Sequence, residues 1–555
     1  MVRGLRYCGR CGYRATYWSS RGEEEGDRDA GEIEPRQLGI PSVLAARRRV
    51  LLAIPIALLL AALTASPALA HGFGERYDLP VPLWLYISGA GAAVVLSFVV
   101  IGFFLRRTSG AHRYPRLNLL HRRAGRALVH PGVTVFIQEI SVALFLLIVV
   151  AGLIGDPAPG LNFAPTAVWI IWWVGMAYIS ALIGDLWLLI NPWRILFNWA
   201  GALYRHVDPE ARLSLHLPYP RGLGHWPGFF LFLAFAWVEI VFPGSALPAN
   251  IAYFAIIYSL VTWAGMFLFG PETWLRHGEA FSLAFGFVAR FAPTEIRVTD
   301  AAICGDCELD CRDHDGHCIG CIDCFRHAAP ENRELNLRPF AVGLLRHETV
   351  STSALAFVVL FLSTVTFDGF TATPTWGEIH TLLADILPTH QGVATLGIIV
   401  FPIAFIAIFR LVAGLMGRAA GAPHPATQLA RVFVYSLIPI ALAYHLAHFL
   451  SFLLIQGQLI IPLASDPFGR GWDLFGTFDY DINIAIVNAR FAWITAVSAI
   501  VLGHILAVYL AHVIALRTFP DHRTALRSQY PMLVLMVAYT IASLWILAQP
   551  IVEIA

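Results

Sequence analysis

Long apolar runs separated by short polar stretches set the rhythm of this chain. Ten of them approach or exceed twenty residues: 82–105, 133–154, 166–190, 226–243, 250–270, 350–367, 392–413, 429–454, 491–514 and 531–549. A helix of about 20 apolar residues crosses the ~30 Å hydrocarbon core of a bilayer. The pattern therefore predicts an all-α, polytopic membrane protein of about ten spans. A shorter apolar run comes earlier. Arg47–Arg49 form a basic n-region, Val50–Thr64 an apolar h-region and Ala68-Leu69-Ala70 a small-residue cleavage site, together a signal peptide. Cleavage there makes His71 the mature N-terminus. Residues 1–46 are polar and carry a Cys8-x-x-Cys11 pair that would suit a zinc knuckle. Lying ahead of a signal peptide, they are read instead as disordered or as translation upstream of a start near Val43.

The spans fall into two five-helix halves, 71–270 and 350–555, joined by a polar stretch at 271–349. Charge placement gives them an orientation. The loop after the first span holds Arg106, Arg107, Arg113, Arg116, Arg122, Arg123 and Arg126 with no acid, whereas 155–165, 244–249 and 368–391 hold no Arg. Basic loops stay in the cytoplasm, so the mature N-terminus is expected outside and the 271–349 stretch inside a bacterial cytoplasmic membrane. Composition agrees: 57% of the 555 residues are hydrophobic and 14% charged. The net charge of +1, and basic runs without interleaved aromatics, give no sign of nucleic-acid binding. Two further stretches read as interfacial. Asn191-Pro192-Trp193-Arg194 looks like a helix stop with membrane anchors, and FSLAFGFVARFAP after Gly278 like a helix lying along the inner surface.

Chemistry concentrates in the joining stretch. Six of the eight cysteines, Cys304, Cys307, Cys311, Cys318, Cys321 and Cys324, fall in ICGDCELDCRDHDGHCIGCIDC, with His314 and His317 among them and His327 beyond. Thiolates two residues apart reach one ion, so this spacing predicts a metal module, and reduced cytoplasmic thiols argue against disulfides. CIGCIDCFRHAAP opens like a bacterial ferredoxin motif, but Ala328 stands at the fourth cysteine position and the proline is displaced to Pro330. An iron–sulfur cluster is the first expectation, with the first cysteine triplet or His327 supplying the missing ligand; zinc is the alternative.

A second group lies within the spans, where ionisable residues are costly and usually functional. His445 and His448 share one helical face, His504 and His512 follow on the next span, and Glu239 and Asp368 are placed to lie on one side. The outer loop ASDPFGRGWDLFGTFDYD carries Asp466, Arg470, Asp473, Asp479 and Asp481 and would serve as a lid. His71, as a free terminus, would suit copper.

With these residues in view, the chain resembles bacterial polytopic membrane proteins of the fenitrothion hydrolase-like family. The resemblance runs through AHGFGERYDLPVPLWLY, NFAPTAVWIIWW, INPWR, GEAFSLAFG, TFDGFTATPTW, AHF, SDPFGRGWDLFGT, GHILAVYLAH and QYPMLVLMVAYT. It implies hydrolysis of an organophosphorus ester; the cysteine module departs from it. His71, Asp368, His448, Asp466, Asp473 and His504 fall in the matching strings. On this reading a second metal ion sits on His448, His504 and His445, with Asp368 or Asp473 as further ligand or general base. Two other readings stand beside it. One is a redox protein drawing electrons from a cytoplasmic donor through the cysteine module, and the other a transporter or metal-handling factor. The small-molecule substrate is not indicated.

Overall fold

The structure, a computed structural model, describes residues 78–106, 114–210, 212–304, 312–313, 315–345, 350–387, 389–421 and 424–551. The expected signal peptide, Cys8, Cys11, His71, Cys307, Cys311 and His314 lie outside the described residues.

The described chain is a helical bundle. Its first half contains α1 (Leu83–Phe104), α2 (Pro131–Ile154), α3 (Phe163–Leu182), α4 (Pro192–Val207), α5 (Trp226–Ile240), α6 (Pro248–Phe269), α7 (Pro271–His277) and α8 (Ala280–Ala289). After α9 (Ile322–His327), the second half comprises α10 (Thr352–Thr371), α11 (Pro374–Leu383), α12 (His390–Ala419), α13 (Ala426–Ser465), α14 (Ala489–Thr518) and α15 (His522–Ile551). Polar caps start several of them: Ser351 accepts from the Ala354 N–H, Thr389 from Gly392 and Asn488 from Phe491.

Nine helices among the described residues are long and apolar enough to cross a membrane. The expected span 226–243 is the exception, because α5 has only 15 residues, a rise of roughly 22 Å. It nevertheless runs beside α10 in the same direction. The His225 N–H donates to Ser353 Oγ at one end, Phe232 meets Phe357 and Phe361 midway, and Glu239 shares a cavity with Asp368 at the other. Helix α10 is the most enclosed span, with 83% of its apolar window buried. Around it, α13, α14 and α15 pack on one another with α1 against the last two, and α2 packs on α6.

Two sequence expectations change here. Helix α8 does not lie along a surface: Phe281, Ala284, Phe285 and Val288 are all buried. The stretch has no polar face to offer water, so it enters the bundle. Asn191 ends the short helix Trp187–Ile190, as expected, and also starts α4, its side chain accepting from the Arg194 N–H; Trp193 and Arg194, expected as interfacial anchors, are both buried.

A small antiparallel sheet sits at the end of the bundle from which α10 departs. Its strands are β1 (Leu117–Asn118), β2 (Thr294–Val298), β3 (Cys318–Ile319) and β4 (Arg333–Leu337), in the order β1-β4-β2-β3. Strand β1 comes from the arginine-rich loop after α1, so that loop and the cysteine module occupy the same end of the molecule. Arg116 and Arg338 clasp the buried Glu295 at 2.9 and 2.6 Å, and Tyr114 donates to it at 2.6 Å. Burial opposes the Glu295 charge, but Arg338, then Tyr114 and Arg116, hold its carboxyl below the ordinary value.

Candidate functional site

The cysteine module is built by β2, β3 and α9. Cys304, Cys318, Cys321 and Cys324 are buried together with Val298, Phe325 and Ala328. The turn that starts α9 brings the Cys321 and Cys324 sulfurs to 2.7 Å, and the Cys324 N–H donates to Cys321 Sγ. The Cys318 N–H donates to Cys304 Sγ at 3.1 Å. Burial, and then the Cys318 sulfur beside it, pushes the Cys304 thiol up to about 12, so a metal that bound here would displace its proton. The cysteines thus meet as two pairs, Cys304 with Cys318 and Cys321 with Cys324, and no three of the four sulfurs lie within 4.8 Å of one another. Ala328 packs in the same cluster, so it fills space without donating a ligand. His327 is exposed, and its Nδ1–H donates to the Asp323 carbonyl at 2.8 Å.

Asp313, Asp315 and His317 place ligand atoms within 4.8 Å of one another and are the one such group among the described residues. Arg297 already stands there, 3.1 Å from Asp313 and 2.6 Å from His317 Nδ1. A cation would have to displace that guanidinium.

The module is tied into the bundle by Arg194. This 4%-exposed guanidinium meets Glu272 of α7 at 2.8 Å and Asp323, which lies between Cys321 and Cys324, at 3.0 Å. Sequence reading assigned Arg194 to the membrane interface, because partners 78 and 129 residues away are invisible in a local pattern.

The second site lies inside the bundle, towards the far end of α10. His448 Nε2 on α13 is 2.8 Å from Asp368 Oδ2 on α10. A cavity of about 10 Å³, room for about one water molecule, is lined by Glu239, Thr364, Asp368 and His445 beside Trp173 and Phe361. His445 is 1% exposed, and neither ring nitrogen has a hydrogen-bond partner among the described residues. Aromatic rings surround it: Trp173 and Tyr178 edge-on, Phe361 stacked. Two acidic side chains and an orphaned histidine around one small space, with His448 bonded to one of the acids, are the means of holding and passing a proton.

The remaining candidates are elsewhere. His504 is fully buried on α14, its Nδ1–H donating to Ile500 and its ring next to Tyr539. With His445 and His448 it does not form a three-ligand group among the described residues. His512 bonds Gln529 and the Leu105 carbonyl. Asp466 is buried and accepts from the Arg470 and Gly471 N–H groups, which fixes the loop expected to act as a lid. Asp473 is exposed and accepts from Phe478 within that loop.

Comparison of the chain with protein-family models, curated proteins and solved structures finds no match.

Proposed function

We infer that the chain is an integral-membrane metalloprotein whose reactive centre is the Asp368–His448 pair, and that it hydrolyses an activated ester of the organophosphorus type. The observation that carries the reading is the 2.8 Å carboxylate–imidazole contact inside the bundle, on a cavity shared with Glu239 and His445. An imidazole oriented by a carboxylate is the acid–base unit of many hydrolases. Asp368 fixes the ring, and His448 takes a proton from water and returns it to the leaving group. Glu239 keeps the small cavity polar enough to admit that water. The resemblance to fenitrothion hydrolase-like proteins supplies the substrate class.

A metal ion on the intramembrane histidines has weaker support. His445 has both nitrogens to offer and His504 its Nε2, but with His448 they do not form a three-ligand group among the described residues, so no step is assigned to an ion there. Purified protein is expected to cleave an activated phosphotriester, and His448→Ala to abolish this while inserting into membranes normally. Intact turnover in that variant refutes the reading.

A second reading rests on a different observation, the buried grouping of Cys304, Cys318, Cys321 and Cys324. These residues would hold an iron–sulfur cluster, which supplies one-electron storage and implies a cytoplasmic electron donor. Anaerobically purified protein is then brown, with broad absorption near ~400 nm from thiolate-to-iron charge transfer. Colourless, zinc-loaded protein rules that out and leaves the module a structural zinc site.

A further inference from the structure

The end of the bundle away from the cysteine module carries a second cavity, of about 740 Å³, walled by the last turn of α10, by α11, by the start of α12 and by Gln549 of α15. His380 lies in the last turn of α11, and His390 is the first residue of α12. The turn between these helices folds the two imidazoles together, with ring centroids 4.7 Å apart and planes tilted by 36°. His380 Nε2 is buried and has no hydrogen-bond partner among the described residues, a state that carries an unfavourable free energy unless something fills it. Thr371 and Thr373 add hydroxyls to the wall, and no Arg, Asp or Glu lines the cavity.

Each feature selects against other occupants. An anion finds no cationic side chain here. A hard cation such as Ca²⁺ or Mg²⁺ requires several oxygen ligands, carboxylates above all, and none is present. Two imidazoles brought close on one cavity wall are the donor set that nitrogen-preferring divalent ions take. We propose that His380 and His390 together bind a transition-metal ion of the Cu²⁺ or Zn²⁺ class, with water and wall oxygens completing its coordination. The site is separate from the Asp368–His448 pair, although the Thr371 hydroxyl, which lines the cavity, donates to the Asp368 carbonyl at 2.6 Å. It therefore stands whether or not the pair is hydrolytic.

The test uses the full-length protein in lipid nanodiscs, as purified, with one equivalent of Cu²⁺ added and pulsed EPR recorded for nitrogen coupling. The wild type is expected to show two coupled imidazoles, falling to one or none in His380→Gln and likewise in His390→Gln. His390 is exposed, so its variant tests the site without disturbing the core. Cys321→Ser and His448→Gln are expected to retain the two-imidazole signal. The proposal is overturned if the wild-type signal lacks two imidazoles, or if either histidine variant keeps both.

Discussion

His448 and Asp368, eighty residues apart in sequence, meet at 2.8 Å between two helices of the bundle. Histidine and aspartate side chains inside a membrane protein are retained where they face each other or a cavity; here they face each other, and Asp368 also faces a cavity. The Asp368 carboxylate reaches a space lined by Glu239 and His445.

Arg194 is expected to be the most sensitive single position for the integrity of the module. Its removal takes from Asp323 and Glu272 the buried guanidinium that meets both directly, leaving the more exposed Arg326 as the cation near them, a loss of up to roughly 3–5 kcal/mol. Arg194→Met should lower the thermal midpoint and reduce the metal content of the purified protein. Equal metal content and an unchanged midpoint would show that the latch does not hold the module.

The sheet should weaken in acid. The Glu295 carboxyl is held below its ordinary value of 4.5, burial being outweighed by Arg338, Tyr114 and Arg116. A depressed folded-state value adds stability that is fully present above the unfolded value and is lost as pH falls through the folded one. Hydrogen-exchange protection of β2 and β4 should therefore hold from pH 7 to about pH 5 and decline below the ordinary carboxylate value. Glu295→Gln should be less protected at neutral pH and should lose this dependence; parallel pH profiles for the two proteins would contradict it.

Helices α13 and α14 approach closely at Gly503, where a Cβ would fall 2.4 Å from Ala443 Cβ and 2.8 Å from the Pro439 carbonyl. Small residues permit such contacts between membrane helices. Gly503→Val is expected to cost about 1–3 kcal/mol by overpacking, read as a lower denaturant midpoint. Since α13 carries His448, turnover should fall with it. Wild-type stability in this variant would mean that the helices are free to separate at that point.

Much of this architecture can be read from the chain, because span length is a direct requirement of the bilayer. The spans 82–105, 133–154 and 250–270 match α1, α2 and α6 within two residues at each end. What escapes is whatever depends on distant partners. Arg194 reads as an interfacial anchor until Glu272 and Asp323 are brought to it. The two-residue strand β1 is too short to carry a pattern, so its recruitment to the cysteine module has no local signal. Asp368 and His448 are each conspicuous in an apolar setting, yet only the crossing of α10 and α13 shows them to be a pair. His380 and His390 lie in a polar connection where histidine attracts no notice, and the turn between α11 and α12 joins them.

The central claim is that Asp368 and His448 act as one acid–base unit. It is tested most directly by a double-mutant cycle on the cleavage of an activated phosphotriester by purified protein. Asp368→Asn and His448→Gln should each lower kcat by ~10²–10⁴, and the double variant should be no worse than the poorer single one, because groups that work as a unit are not additive. Undiminished turnover in His448→Gln, or losses that simply multiply in the double variant, would contradict the account.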